Sequence, residues 1–129
     1  MDAISVLLVD DEQGFLEAMS KRLVRRGLEV RVANSGAKAL DLLRDLESDV
    51  VILDQKMPEM DGLQTLIAIK DRHPRVRVIM LTGHATVDSA VSGMALGAYE
   101  YLVKPCDLET LLAQIHASVG RREAGGGLA

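Results

Sequence analysis

The stretch VILDQKMPEMDG (51–62) opens as an aliphatic run, stops on an acid, Asp54, and passes at once into a turn marked by Pro58 and Gly62. Near the start of the chain LLVDDE (7–12) does the same, its aliphatics giving way to Asp10 and Asp11. Apolar runs this short, without polar alternation, are the mark of strands covered on both faces. Such strands belong to parallel sheets, and their ends are where the chemistry of this sequence collects.

Outward from these two stretches the pattern repeats. Residues 4–9 and 50–53 are near-continuous apolar runs, and 76–81 and 99–103 supply two further strands. Leu28, Val30 and Val32 alternate with Glu29 and Arg31, the period of a strand with one wet face, which places it at a sheet edge. Between the strands, apolar residues recur at helical spacing. They are Phe15, Leu16, Met19 and Leu23, then Ala39, Leu40 and Leu43 behind a capping Ser35, then Leu63, Leu66 and Ile67. Residues 87–96 form a fourth helix, and Leu108, Leu111, Leu112, Ile115 and Val119 draw a clean stripe along a fifth. Five strand–helix repeats predict an α/β domain: a parallel five-stranded sheet flanked by five helices, with right-handed crossovers. Residues 1–121 read as the domain, and 122–129 as a flexible tail or the start of a linker. Gly62, following Asp61, reads as a turn residue with positive φ.

In such a sheet all carboxyl ends share one edge, and ligands bind there where the strand order reverses. If the first and third strands are neighbours, Asp10, Asp11 and Asp54 converge. Close carboxylates resist simultaneous ionisation, and a hard divalent cation resolves the conflict. Mg²⁺ takes oxygen ligands and keeps waters and a phosphate oxygen, so the cluster points to metal-assisted phosphoryl chemistry. Thr82 closes VIMLTG and Lys104 closes YLVKP, adding a hydroxyl and an ammonium to the same edge.

Composition narrows the classes. The 129 residues suit one domain with an aliphatic core, since Phe15, Tyr99 and Tyr101 are the only aromatics. A net charge of −4 at pH 7 offers no basic footprint, against direct nucleic-acid binding. The single Cys106 excludes an internal disulfide and fits a reducing compartment. With no signal pattern and no apolar run of about 18 residues, no membrane association and a cytoplasmic location are expected.

The motifs LLVDDE, VILDQKMPEMDG, MLTGHA and GAYEYLVKP, in this order and spacing, resemble the receiver domain of two-component response regulators over roughly residues 4–119. That resemblance implies the flavodoxin-like, doubly wound strand order 2-1-3-4-5. It implies that Asp54 is the phosphoacceptor for the phosphohistidine of a sensor histidine kinase or phosphotransfer protein, forming a labile acyl phosphate. Asp11 and Asp54 would hold Mg²⁺ with the backbone carbonyl of Lys56, Asp10 acting through a bound water. Lys104 would pair with Asp54 before transfer and with the phosphoryl group after it, and the Lys104–Pro105 bond would be cis. Thr82 would move to the phosphoryl oxygen, and Tyr101 would swing into the space it leaves. This would change the surface of the fourth helix, fifth strand and fifth helix toward a downstream effector, transcriptional by the likeness of TGHA, or toward a homodimer. Lys56 and His84 stand where the family tunes phosphoryl lifetime. Neither is suited to activate water, so fast autodephosphorylation is not expected. The domain would be a switch, promoting only its own phosphorylation and hydrolysis, and not a turnover enzyme.

Simpler roles exist for each residue. Asp10 or Asp11 could N-cap the first helix, and Asp54 could start a turn. Thr82 and Lys104 alone would be a strand-end hydroxyl and a solvated amine. His73, His84 and His116 resemble no metal motif and read as surface residues, Cys106 as a half-buried thiol, and KRLVRR (21–26) as a solvated helix face. Three rival functions remain on the table. An Asp-nucleophile phosphohydrolase would carry two acids separated by one residue on a single strand, whereas Asp10 and Asp11 are adjacent and Asp54 lies on another. A flavodoxin-like cofactor carrier would need a Ser/Thr/Gly phosphate loop where DDEQG stands. A non-phosphorylated partner-binding receiver would have lost part of the set Asp10, Asp11, Asp54, Thr82 and Lys104, which is intact.

Overall fold

In the computed structural model the backbone is described for residues 3–128 and the side chains for 3–120. Strands and helices alternate: β1 (Ser5–Val9), α1 (Gln13–Arg25), β2 (Glu29–Ala33), α2 (Gly36–Asp45), β3 (Val50–Leu53), α3 (Gly62–Arg72), β4 (Arg77–Thr82), α4 (Val87–Ala95), β5 (Glu100–Val103) and α5 (Leu108–Leu128). All pairings are parallel, in the order β2-β1-β3-β4-β5. The chain therefore leaves β1 in one direction for β2 and returns across it to β3, which puts the switch point between β1 and β3.

The unbroken apolar runs are explained by a core on each side of the sheet. Alternate residues Leu7, Val9, Val51, Leu53, Val78 and Met80 pack on one face against Leu40 and Leu43 of α2 and Leu66 and Ile69 of α3. Val6, Leu8, Val50, Ile52, Ile79 and Leu81 pack on the other against Leu16 and Leu23 of α1 and Leu111 and Ile115 of α5. Each such side chain contributes about 1.5–3 kcal/mol on full burial.

Helix starts follow local chemistry. The Ser35 hydroxyl accepts the Lys38 N–H at 3.1 Å, as the sequence predicts. At α3 the cap is Asp61, in a reciprocal box with Gln64. The N-cap of α1 is Glu12, with no side-chain cap, so neither Asp10 nor Asp11 takes that role, although Asp10 Oδ1 accepts the Glu12 N–H at 3.0 Å.

Several expectations are corrected. Gly62 does not have positive φ; in this turn the left-handed residue is Glu59, at φ 66°. Glycine is needed at 62 because an added Cβ would lie 2.3 Å from the Asp54 carbonyl oxygen and 2.5 Å from Gln55 Cα. Ile67 faces outward, α3 burying Thr65, Leu66 and Ile69 instead. Arg31 is not simply on a wet face: it donates to the Leu42 carbonyl at 3.0 Å and to Ser48 Oγ at 2.9 Å, closing the end of α2. His73, expected at the surface, is half-buried and paired with Glu47, whereas the charges of KRLVRR are exposed as expected, Arg26 pairing at the surface with Glu109. The backbone of α5 runs on to Leu128, beyond the stripe that ends at Val119 and through the segment expected as a tail or the start of a linker. Once a helix is nucleated, each further residue adds one hydrogen bond without a new nucleus. Residue 129 and the side chains from 121 onward lie outside the described residues.

Replacing Gly62 by alanine forces its methyl group into the backbone of residues 54 and 55, just past β3. Gly62→Ala is expected to lower the unfolding free energy by about 2 kcal/mol or more, read as a lower urea midpoint with an unchanged slope.

Candidate functional site

The sheet ladder itself brings the acids together. Past the last residue of β1, the Asp10 N–H still donates to the Ala33 carbonyl of β2, at 3.1 Å. Past the end of β3, the Asp54 N–H donates to the Val9 carbonyl of β1, at 3.0 Å. Pairing that overruns the strands by one residue fixes Asp10 and Asp54 side by side at the switch point. Asp10, Asp11 and Asp54 can each offer an oxygen within 4.8 Å of the others, with Asp10 and Asp54 buried and Asp11 exposed. The next ladder does the same for the basic partner: the Lys104 N–H donates to the Thr82 carbonyl at 2.9 Å.

The electrostatics centre on Asp54. Burial pushes its carboxyl pKa up, and the neighbouring Asp10 charge adds to this; the Thr82 hydroxyl, the Lys104 charge and the Gln55 backbone N–H pull it down. Asp54 Oδ1 is the one buried side-chain oxygen among the described residues with no hydrogen-bond partner. Lys104 does not pair with Asp54 as the sequence reading expects. Its Nζ donates to Asp10 Oδ2 at 2.6 Å and sits 3.9 Å from the centroid of the Phe15 ring. The reason is geometric and electrostatic: the Asp10 side chain is only 1 % exposed, and the aromatic face on α1 favours an ammonium at that spot.

The remaining residues divide by distance from this centre. Thr82 is fully buried and its hydroxyl accepts the His84 N–H at 3.1 Å. Lys56 and the His84 side chain are exposed on the loops leading away from β3 and β4. The Lys104–Pro105 bond is cis. Cys106 is half-buried with its pKa raised by burial, no candidate nucleophile. Tyr101 is already turned inward: its hydroxyl meets Ser89 Oγ at 2.9 Å and donates to Gln55 Oε1. Neither Gln55 nor Ser89 is singled out by the sequence, because a Gln in a turn and a Ser in a helix carry no spacing signal.

The cluster fits a small hard cation. Its donors are all oxygens, gathered within 4.8 Å, and one of them is buried without a partner.

A flavodoxin-like sheet whose acidic edge lies at its switch point defines a class of signalling domain. The family model of the response regulator receiver domain matches residues 6–116, and the chain belongs to that family. It is 40 % identical over 112 residues to regulatory protein AtoC of Escherichia coli, covering 86 % of this chain and 24 % of that protein. It is 37 % identical over 114 residues to the DNA-binding transcriptional regulator NtrC of Escherichia coli, covering 88 % and 24 %. A response regulator receiver domain protein from Clostridium thermocellum superposes with a TM-score of 0.89 at 36 % identity, over 94 % of this chain and 98 % of that one. The chain thus spans about a quarter of the curated relatives it matches. Receiver domains are phosphorylation-controlled signalling modules of two-component systems and generally use Mg²⁺. No helix among the described residues is long and apolar enough to cross a membrane.

The raised pKa of Asp54 sets a pH dependence. An acid whose pKa is higher folded than unfolded favours the folded state only while protonated; that contribution is lost as pH rises through the folded pKa. Without metal, Asp54→Asn is therefore expected to raise the melting temperature at neutral pH. The gain should shrink as pH falls toward the ordinary aspartate value of about 3.9, as followed by thermal denaturation in a pH series.

Proposed function

We propose that the domain is a switch in which Asp54 accepts a phosphoryl group from the phosphohistidine of a sensor histidine kinase or phosphotransfer protein. The observation that carries this is Asp54 Oδ1, a buried carboxylate oxygen with no hydrogen-bond partner, at an acid cluster that can hold a cation. In the transfer an Asp54 oxygen–phosphorus bond forms as the phosphorus–nitrogen bond breaks, and the imidazole leaves with the electron pair and takes up a proton from solvent. Asp10, Asp11, Asp54 and the Lys56 carbonyl would hold Mg²⁺, which when bound offsets charge on the transferring group. Lys104 leaves Asp10 to reach the new phosphoryl oxygens, a move supported by its 2.6 Å contact with an acid that the cation also attracts. Thr82, whose hydroxyl already interacts with Asp54, donates to the same group.

The output runs through α4, β5 and α5. Val87, Val91 and Met94 are 80, 63 and 45 % exposed and share one side of α4, and Val103 of β5 is 54 % exposed. This apolar strip supports contact with an effector domain or a second copy of the chain. The names of the relatives, a regulatory protein and a DNA-binding transcriptional regulator, support a transcriptional effector.

Incubation with acetyl phosphate and Mg²⁺ is expected to add roughly 80 Da to the intact mass, the increment of one phosphoryl group. The gain should be absent in Asp54→Asn and after chelation. Turnover of a free phosphomonoester, with no retained mass, would instead support the phosphohydrolase reading. With Lys56 and His84 at the lifetime positions, decay of the adduct is expected over minutes or longer. A half-life of seconds would contradict that assignment.

A further inference from the structure

Gln55 is held from both sides. Its carbonyl accepts the Gly62 N–H at 2.6 Å, and there is no room for a side chain at 62, so the start of α3 clamps the backbone of residue 55. It directly follows Asp54 in the chain, so its backbone is tied to that residue's. Its side-chain Oε1 accepts the phenol proton of Tyr101.

Tyr101 is in turn seated against α4. Its hydroxyl lies 2.9 Å from Ser89 Oγ, and its ring is so close to Gly93 that an added Cβ would be 3.1 Å from Cδ2 and 3.4 Å from Cε2. Tyrosine has one proton to give, and a carboxamide oxygen can only accept. The phenol proton therefore goes to Gln55, and Ser89, whose own proton can serve the Thr86 carbonyl at 3.0 Å or the phenol, completes the seat.

We propose that Gln55 is a positioning residue that holds Tyr101 in its seat and carries the state of Asp54 to the α4–β5 surface by a route separate from Thr82. One residue is joined by its backbone to Asp54 and by its side chain to the tyrosine, so a group added to Asp54 that shifts the backbone of residue 55 also moves the acceptor of the Tyr101 proton. The seating holds in the unphosphorylated protein; only the link to Asp54 rests on the function proposed above.

The test labels the chain with 3-fluorotyrosine and follows the Tyr101 resonance by fluorine NMR, assigned by its loss in Tyr101→Phe. In the unphosphorylated protein, Gln55→Leu is expected to move this resonance toward that of a solvent-exposed tyrosine, with the seated fraction falling about 2- to 10-fold, the worth of one net hydrogen bond. Gln55→Asn, too short to reach, should behave as Gln55→Leu does, and Gln55→Glu, which keeps an acceptor oxygen, should stay near wild type. With acetyl phosphate and Mg²⁺, Gln55→Leu should gain the same mass as wild type but show a reduced shift of Tyr101. Wild-type resonance positions in Gln55→Leu and Gln55→Asn, with movement only in Ser89→Ala, would mean that α4 alone seats the ring and would overturn the proposal. If wild type takes up no phosphoryl group, the acceptor reading fails, and the unphosphorylated comparison still decides the seat.

Discussion

The repulsion between Asp10, Asp11 and Asp54 is the constraint around which the rest is arranged. Charges that can approach within 4.8 Å disfavour one another's ionisation, and two of these residues are buried. What keeps them there is backbone pairing that continues past the ends of β1 and β3, on strands whose side chains are buried on both faces. Those side chains contribute about 1.5–3 kcal/mol each, so a few of them outweigh the cost of an unneutralised acid. Lys104 offsets one charge through Asp10, and the Thr82 hydroxyl and Gln55 N–H offset part of another. The remainder stays on Asp54, which leaves the domain with a strong preference for anything that brings positive charge to that edge.

The sheet and the acid cluster were legible because both are set by backbone periodicity. A strand with two buried faces must be apolar throughout, so a polar residue at its end is conspicuous, and a parallel sheet sends all such ends to one edge. The same logic does not reach along a flexible side chain. Lys104 is placed at the correct edge by its strand, but its four rotatable carbons allow either Asp10 or Asp54 as partner, and the Phe15 ring that favours Asp10 comes from a helix 89 positions earlier in sequence (104 − 15). Gly62 was recognised as structural for the wrong reason: a turn glycine suggests a backbone angle, whereas the actual need is space beside the Asp54 carbonyl, which only the folded chain reveals. The Arg31 cap on α2 and the His73–Glu47 pair were hidden for the same cause, since each joins residues whose spacing follows no period.

The two ends of the signalling path differ in how firmly they are held. Helices α1, α2 and α3 each bury large aliphatic residues in the cores, whereas α4 fully buries only Ser89 and Gly93 and exposes Val87, Val91 and Met94. An element with so little apolar burial opens or shifts at low cost. Its amino-terminal capping box, Thr86 with Ser89, keeps it helical while leaving its docking weak. Apolar burial is thus concentrated beneath the carboxylates and is sparse under α4.

Tyr101 lies on the boundary between those regimes: its ring packs at the margin of the aliphatic core, and hydrogen bonds and the bare backbone of Gly93 complete its seat. Hydrogen bonds exchanged with water have a small net worth, about 0.5–1.5 kcal/mol each, so a ring tied by Ser89 and Gln55 can be released by a modest change at either partner. Moving a fully buried leucine would require more. Gln55 joins the rigid side of that boundary to the loose one, since its backbone belongs to the clamp at Gly62 and its amide oxygen accepts from the tyrosine. A charge change on Asp54 would be large on the scale of that single hydrogen bond and small on the scale of either core, the ratio that the proposed switch requires if the surface is to respond while the sheet does not.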